Sequence, residues 1–389
     1  MELIFLTTRF PYPLNKGDKL RAYHQIKELS KNSDIHLISL SDQKISKSEL
    51  EELEKLCKSI NIFYLKKYRI FFNLIRGLFN NKPFQVNYFF SNSIKKKIHS
   101  LINTIKPDHI FCQLIRNAWY LKDEYEYPKT LDYMDALSKG MERRIEGSGW
   151  KKFLFKIEYE RLKQFENLSY EFFDNHIIIS KADQDYIPHE KKSKIKIIPN
   201  GIDTDFFKKK NIKPEYDLVF VGNLSYAPNV DVIEHIHNDL LEKLIEIKPD
   251  IKILISGSNP SKKTLRYANK HIKIQEWIPD IRDAYNNGKI FIAPMRIGTG
   301  LQNKLLEAMS LQLPCITTNL ANMGLGAEHN KELFIAENDQ DFINVIKKLL
   351  ENQESRAIIG KNARAFVKRK FNWEKTSNEI LENFTFKRT

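Results

Sequence analysis

IFIAPMRIGTGLQNKLLEAMSLQLPCITT, residues 290–318, holds a strand, a turn, a helix and a second strand in one run. The β-branched and aromatic opening stops at Pro294, glycines follow at 298 and 300, and a helical pattern begins near Leu301. Leu301, Leu305, Ala308 and Met309 recur at helical spacing and give that helix a core face. Lys304 and Glu307, three apart, share a different stripe, where both can address one ligand. Strand, short turn, helix, strand is the repeating unit of a mainly parallel α/β sheet.

The turn suits an anion. The Gly298–Thr299–Gly300 segment lets main-chain amides approach closely, and the helix start adds its partial positive charge. Arg296 and Lys304 supply full charges to a diphosphate, and Glu307, one turn deeper, suits the vicinal hydroxyls of a ribose. Taken alone, the same residues also fit a plain chain turn followed by a surface helix pair. GTGLQN opens like a dinucleotide fingerprint, but Asn303 stands where the third glycine belongs, and there is no Walker A sequence.

The same alternation runs along the whole chain. LIFLTT, DIHLISL, NIFYLK, HIFCQL, KTLDYM, HIIIS and KIKIIPN are strand runs in the first half; DLVFVG, KILISG, IKIQEW, KIFIAP, PCITT and LFIA follow in the second. Two doubly wound sheets fit this count, as does a length of 389 residues. With 42% hydrophobic and 29% charged residues, disordered, collagen-like and low-complexity classes are excluded. The Pro, Gly and Asn punctuation of IIPNGIDTDFFKKKNIKPEYD interrupts the rhythm and places a boundary near 198–215. The expected domains are therefore 1–198 and 199–372, with a helical tail at 373–389.

The opening MELIFLTTRF has no basic leader, and no run reaches the roughly 18–20 apolar residues that span a bilayer. Cys57, Cys112 and Cys315 are odd in number and far apart, against a disulfide framework or zinc cluster. A cytoplasmic protein is expected. The net charge of +14 is uneven: residues 56–107 contain no Asp or Glu, and YLKKYRIFFNLIRGLFNNKPFQVNYFF interleaves cations with aromatics. A second such patch, GWKKFLFKIEYERLK, begins at Gly149. A solvated basic face, an anionic membrane surface and nucleic acid are the three readings, and no nucleic-acid signature accompanies the cluster.

GTGLQNKLLEAMSLQLPCITT, IIPNGIDTDFF, LVFVGNLSYAPNVDVI and EWIPDIRDAY together resemble the retaining glycosyltransferases of family four. TTRFPYPLNKGDKLRAYHQIKELS resembles the opening of a subgroup associated with bacterial exopolysaccharide and surface-glycan assembly, and TLDYMDALS and FENLSYEFFDNHIIISKAD extend the likeness in order along nearly the whole chain. The resemblance implies the GT-B architecture: two Rossmann-like doubly wound parallel-sheet domains facing a cleft, the N-terminal one for the acceptor and the C-terminal one for the donor. The last helix is expected to cross back to the N-terminal domain.

It further implies a nucleoside-diphosphate sugar of UDP or GDP type as donor, and a glycan or polyprenyl-linked hydroxyl as acceptor. Glu307 matches the second acid of the family's paired-glutamate motif and so the ribose contact, while the first falls on Thr299, a departure. Lys304 and Arg296 take the diphosphate with Gly298, Thr299 and Gly300. Gly222 and Asn223 open the other diphosphate loop; after Gly222, where relatives carry Arg and, a few residues on, Lys, this chain has Asn223 and Ser225, which donate hydrogen bonds without charge. Trp277 and Ile278 match the nucleobase loop, though Trp277 fits a core role equally. Gly17, and less strongly Lys19 and Arg21, face the donor phosphates. Asp132 and Asp135 end a strand near the transferred sugar; Asp135 is the candidate for a sugar or acceptor contact, or else a helix cap. Asp203-Thr204-Asp205 spells a metal-binding triplet of another glycosyltransferase fold, but it follows PNGI in the interdomain connection, so neither metal nor cofactor is expected. A nucleotide-sugar epimerase of the same fold, and a non-catalytic nucleotide- or nucleic-acid-binding protein, are the alternatives.

Overall fold

A computed structural model describes residues 1–145, 152–276, 278–298 and 300–384. The chain forms two units, Met1–Asn200 with Trp373–Thr389, and Gly201–Asn372. The first contains β1 (Glu2–Thr7), β2 (Asp34–Ser41), β3 (Ser59–Tyr64), β4 (His109–Gln113), β5 (Lys129–Asp132), β6 (Asn175–Ile178) and β7 (Lys196–Ile197), in the order β3-β2-β1-β4-β5-β6-β7. The second contains β8 (Tyr216–Val221), β9 (Ile253–Ser256), β10 (Ile272–Gln275), β11 (Gly288–Ala293), β12 (Cys315–Thr317) and β13 (Phe334–Ile335), in the order β10-β9-β8-β11-β12-β13. Every pairing is parallel.

Each run expected from the sequence is a strand. Helices cover both faces of a parallel sheet, so its central strands bury nearly every residue and read as continuous apolar runs rather than as alternation. All six residues of β8 are buried, as are all of β4, β5 and β9. The winding reverses between β1 and β4, and again between β8 and β11, and open α/β sheets take ligands at the carboxyl ends of strands at such points.

The helix expected near Leu301 runs Asn303–Ser310. Gly298 and Gly300, at φ of 109° and 84°, and the extended Gln302 delay its start. Leu301 still packs against the core from outside the helix, and Leu306 joins Leu305, Ala308 and Met309 on the buried face.

The last helix, Trp373–Glu382, is part of the first unit. It packs on helix Gly17–Leu29, where the Trp373 and His24 rings stack at 4.8 Å, and beyond it Phe384 stacks on His109 at 3.9 Å. Helix Gly17–Leu29 also carries one side of an ion pair to the end of β5 with no exposure on either side chain: Arg21 Nε donates to Asp132 Oδ2 at 2.6 Å. The guanidinium also reaches Asn200 Oδ1 at 2.9 Å and the Ile198 carbonyl at 3.0 Å, while Asp132 accepts from Gln25 Nε2 at 3.1 Å and the Met134 amide at 3.0 Å. A buried pair persists only when its remaining donors and acceptors are satisfied in this way. Among the described residues no helix is long and apolar enough to cross a membrane.

Candidate functional site

β8 and β11 are neighbours, and the loops that leave their carboxyl ends, 222–226 and 294–302, flank the second unit's switch point. From the second loop rises helix Asn303–Ser310, which has no side-chain cap at its start. Uncapped amides of a first turn attract anions. Just inside, Lys304 is half-buried; its Nζ donates to Asn229 Oδ1 at 2.6 Å and lies 5.4 Å from the centre of the Phe220 ring. Asn229 Nδ2 in turn donates to the Asn223 carbonyl at 2.9 Å. One buried amide thus ties the 222–226 loop to the start of the site helix and aims the ammonium. Gly222 makes room for it, because a Cβ there would stand 2.7 Å from Asn229 Nδ2.

One turn further in, Glu307 Oε2 accepts from the buried Tyr285 hydroxyl at 2.6 Å. Burial pushes the Glu307 carboxyl up to about 7, against the bond from Tyr285 and the charge of Lys304. Burial also brings the Lys304 ammonium down to about 8, with Glu307 opposing. In both groups desolvation outweighs the contacts made by the charged form, Lys304 also reaching Gln302 Oε1 at 3.5 Å, and neighbouring titratable groups perturbed in this way cluster at functional sites.

Other candidates go elsewhere. Arg296 is not a free phosphate cation: its guanidinium holds Asp231 at 2.8 Å and Asp239 at 3.2 Å, two carboxylates distant in sequence. Arg21 and Asp132 are sealed in the network described above, which removes Arg21 from any phosphate contact. Lys19 Nζ reaches the Tyr12 carbonyl at 3.3 Å, and burial lowers its pKa. Asn223 is exposed, and its side-chain oxygen closes its own loop by accepting from the Ser225 amide at 3.0 Å and hydroxyl at 2.9 Å. Gly17 is the exposed first residue of a helix rather than a loop residue, with nothing within 4 Å of a Cβ built there. Asp135 is exposed in the turn after β5. Ile278 packs against the second unit's core, and Trp277 and Thr299 lie outside the described residues. In the DxD triplet, Asp203 Oδ1 accepts from the amides of Asp205 and Phe206 at 3.0 and 2.8 Å, and Asp205 pairs with Lys208 at 3.2 Å.

The sequence reading missed Asn229 and Tyr285. Asn229 had a signal: it shares the buried face of helix Ala227–His235 with Val232 and Ile233, and a polar side chain on a core face must find partners. Tyr285, on the short helix Ile281–Asn286, had none beyond its burial.

Residues 215–352 match the family Glycosyl transferases group 1. An uncharacterized 44.6 kDa protein in the cps region of Klebsiella pneumoniae is 25% identical, over 98% of this chain and 99% of that protein. The UDP-Gal:alpha-D-GlcNAc-diphosphoundecaprenol alpha-1,3-galactosyltransferase of Escherichia coli is 26% identical over 49% of this chain and 53% of its own length. Among solved structures, Anabaena HepE in complex with UDP-glucose superposes with a TM-score of 0.68 at 16% identity, covering 98% of both chains. The matched domain, residues 215–352, spans the β8/β11 switch point and is similar to the group 1 glycosyltransferases, and the chain has the GT-B fold.

Proposed function

We propose that the chain transfers a sugar from a nucleoside-diphosphate donor of UDP or GDP type to a hydroxyl of a glycan or polyprenyl-linked acceptor, with retention of configuration, in surface-polysaccharide assembly. The observation that carries this is the Lys304 ammonium, held by Asn229 beside an uncapped helix start with Glu307 and Tyr285 one turn deeper. Asn223, Gly298, Thr299 and Gly300 bring main-chain amides to the diphosphate, Gly222, whose own amide donates to the Ser256 carbonyl at 3.0 Å, lines the site by leaving room for Asn229, and Lys304 supplies its full charge. Glu307 accepts from the ribose hydroxyls and Tyr285 fixes its orientation. The loop carrying Trp277 and Ile278 serves the base. Arg296, committed to two acids, is left as an outer support of the loop. As the glycosidic bond breaks, negative charge grows on the leaving diphosphate, and fixed donors in a half-buried site stabilise it most at that moment.

In this reading the second unit, with 199–372, binds the donor, and the first, 1–198 with 373–389, serves the acceptor. Asp135 contacts sugar or acceptor, and Gly17 offers an open helix start to an anion. The basic, aromatic stretch 56–107 rests on an anionic bilayer. The names of similar proteins support the chemistry: the Escherichia coli relative is named for a UDP-Gal donor and a diphosphoundecaprenol-linked acceptor, and HepE has been solved with UDP-glucose.

A thermal-shift series with UDP, GDP and ADP tests the donor site. The preferred nucleotide at about 100 times its Kd should stabilise the protein by roughly 2.7 kcal/mol. No shift with any of them would remove the proposal. An acceptor-dependent release of nucleotide then separates transfer from epimerisation, which consumes no acceptor.

The two titrations predict a pH profile. Nucleotide affinity should rise as pH passes about 7, where Glu307 becomes the carboxylate that ribose hydroxyls need, and fall above about 8 as Lys304 loses its proton. Glu307→Gln should erase the acidic limb and weaken nucleotide binding by roughly 1–3 kcal/mol. Calorimetric titration across this range is the check; a flat profile would mean that neither group meets the ligand.

A further inference from the structure

The segment between β3 and β4 of the first unit carries an apolar face and a basic pocket side by side. Helix Lys67–Leu78 buries Ile70 and Gly77 and turns Tyr68, Phe71, Phe72, Ile75 and Leu78 to solvent, with Phe79 just past its end. Their spacing makes one stripe along the helix, on which Phe71, Phe72 and Phe79 are 62%, 64% and 85% exposed. Large aromatics exposed in a row mark a surface that is covered in use.

Beside the stripe is a pocket of about 560 Å³, into which Arg76, Lys82, Lys95 and Lys122 converge. Among its lining residues Asp123 is the one acid, and it is already engaged by Lys95 and, at 3.6 Å, by Lys122. The Lys82 and Lys122 ammoniums lie 3.9 and 4.4 Å from the centre of the Trp119 ring, two cations on one indole. Burial and the like charges of Lys122, Arg76 and Lys95 hold the Lys82 pKa below its ordinary value. Four cations with one carboxylate between them form a cluster that an added phosphate would neutralise and tighten. The apolar stripe decides the source of that phosphate: amphipathic helices with cations on their flank lie in anionic lipid interfaces.

We propose that the pocket formed by Arg76, Lys82, Lys95, Lys122 and Trp119 binds the phosphate of an anionic membrane lipid, with the aromatic stripe of Lys67–Leu78 lying in the lipid interface. This rests on the bilayer contact proposed above and adds the group that is recognised and the side chains that hold it. It is independent of the donor chemistry in the second unit.

Co-sedimentation of the full chain with phosphatidylglycerol and phosphatidylcholine vesicles tests it. Binding to phosphatidylglycerol and little to phosphatidylcholine is expected. Removing two of the pocket charges with K82Q/K122Q should weaken it about thirtyfold, at roughly 1 kcal/mol for each cation near the surface. The control K96Q/K97Q removes the same charge from exposed positions on the neighbouring helix Asn92–Ile105 and should cost about threefold or less, these cations lying outside the pocket lining. Equal losses in the two variants would overturn the pocket in favour of diffuse charge. F71S/F72S, both at exposed positions, should lower binding even where the charges are intact, and unchanged binding would overturn the role of the stripe. Titration with inorganic phosphate, followed by tryptophan emission with W119F as the blank, covers the soluble source: saturation at lower concentration than for vesicle lipid would overturn the lipid assignment. Nucleotide-induced stabilisation of the same variants reports the second unit, so failure of the lipid site and failure of the donor site are read separately.

Discussion

Lys304→Ala should lower kcat by about a hundredfold to a thousandfold while weakening nucleotide affinity much less, the range for removing one fixed donor to a developing oxyanion. In the proposed site the diphosphate is already charged in the ground state and is shared among backbone amides and the ammonium. As the sugar departs, further charge collects on the leaving oxygen, and only groups that cannot relax away respond fully. Lys304 is such a group, because Asn229 holds it at 2.6 Å and Phe220 lies beneath it. Lys304→Arg should not restore the rate: a planar guanidinium cannot make the same single bond to Asn229 in that slot. Steady-state kinetics beside calorimetric binding decide the matter. Small, equal effects on kcat and Kd would mean that Lys304 and Glu307 are a structural helix pair.

Arg21→Ala should destabilise the first unit by about 3–5 kcal/mol, since it strands a buried carboxylate whose other contacts are already made. The loss corresponds to a fall in Tm of roughly 6–20 °C for a unit of this size. Calorimetry with saturating nucleotide isolates the effect, because on the proposed donor assignment the ligand acts on the second unit's transition. R21M/D132N should recover part of the stability, as no charge is then left without a partner. A cost under about 1 kcal/mol for Arg21→Ala would show that water reaches the pair.

The fold was legible because two-sided burial writes itself into sequence: DLVFVG and KIFIAP are apolar after their charged first residues, and both became central strands of the second sheet. The start of the site helix was misread by two residues, since periodicity sees Leu301 as core but not that Gly300 takes a left-handed conformation first. Charged residues were the least legible. Arg296 and Arg21 sit beside promising turns in sequence, yet their partners are 65 and 111 residues away, and only tertiary packing brings them together. The Lys304–Glu307 stripe was found because its spacing is local; Asn229 and Tyr285, which position those two side chains, come from other helices.

The placement of Trp373–Glu382 against Gly17–Leu29 bears on how chimeric enzymes can be built. Fusing the front half of one relative to the rear half of another at a single crossover would pair a foreign terminal helix with the native one beneath it and break the stacking of Trp373 on His24. The natural cassette is an internal one, Gly201–Asn372, exchanged as an insertion with both flanks kept from the same parent. Recombinants made with two seams should fold more often than those made with one, and on the proposed donor assignment would carry nucleotide preference with the exchanged cassette.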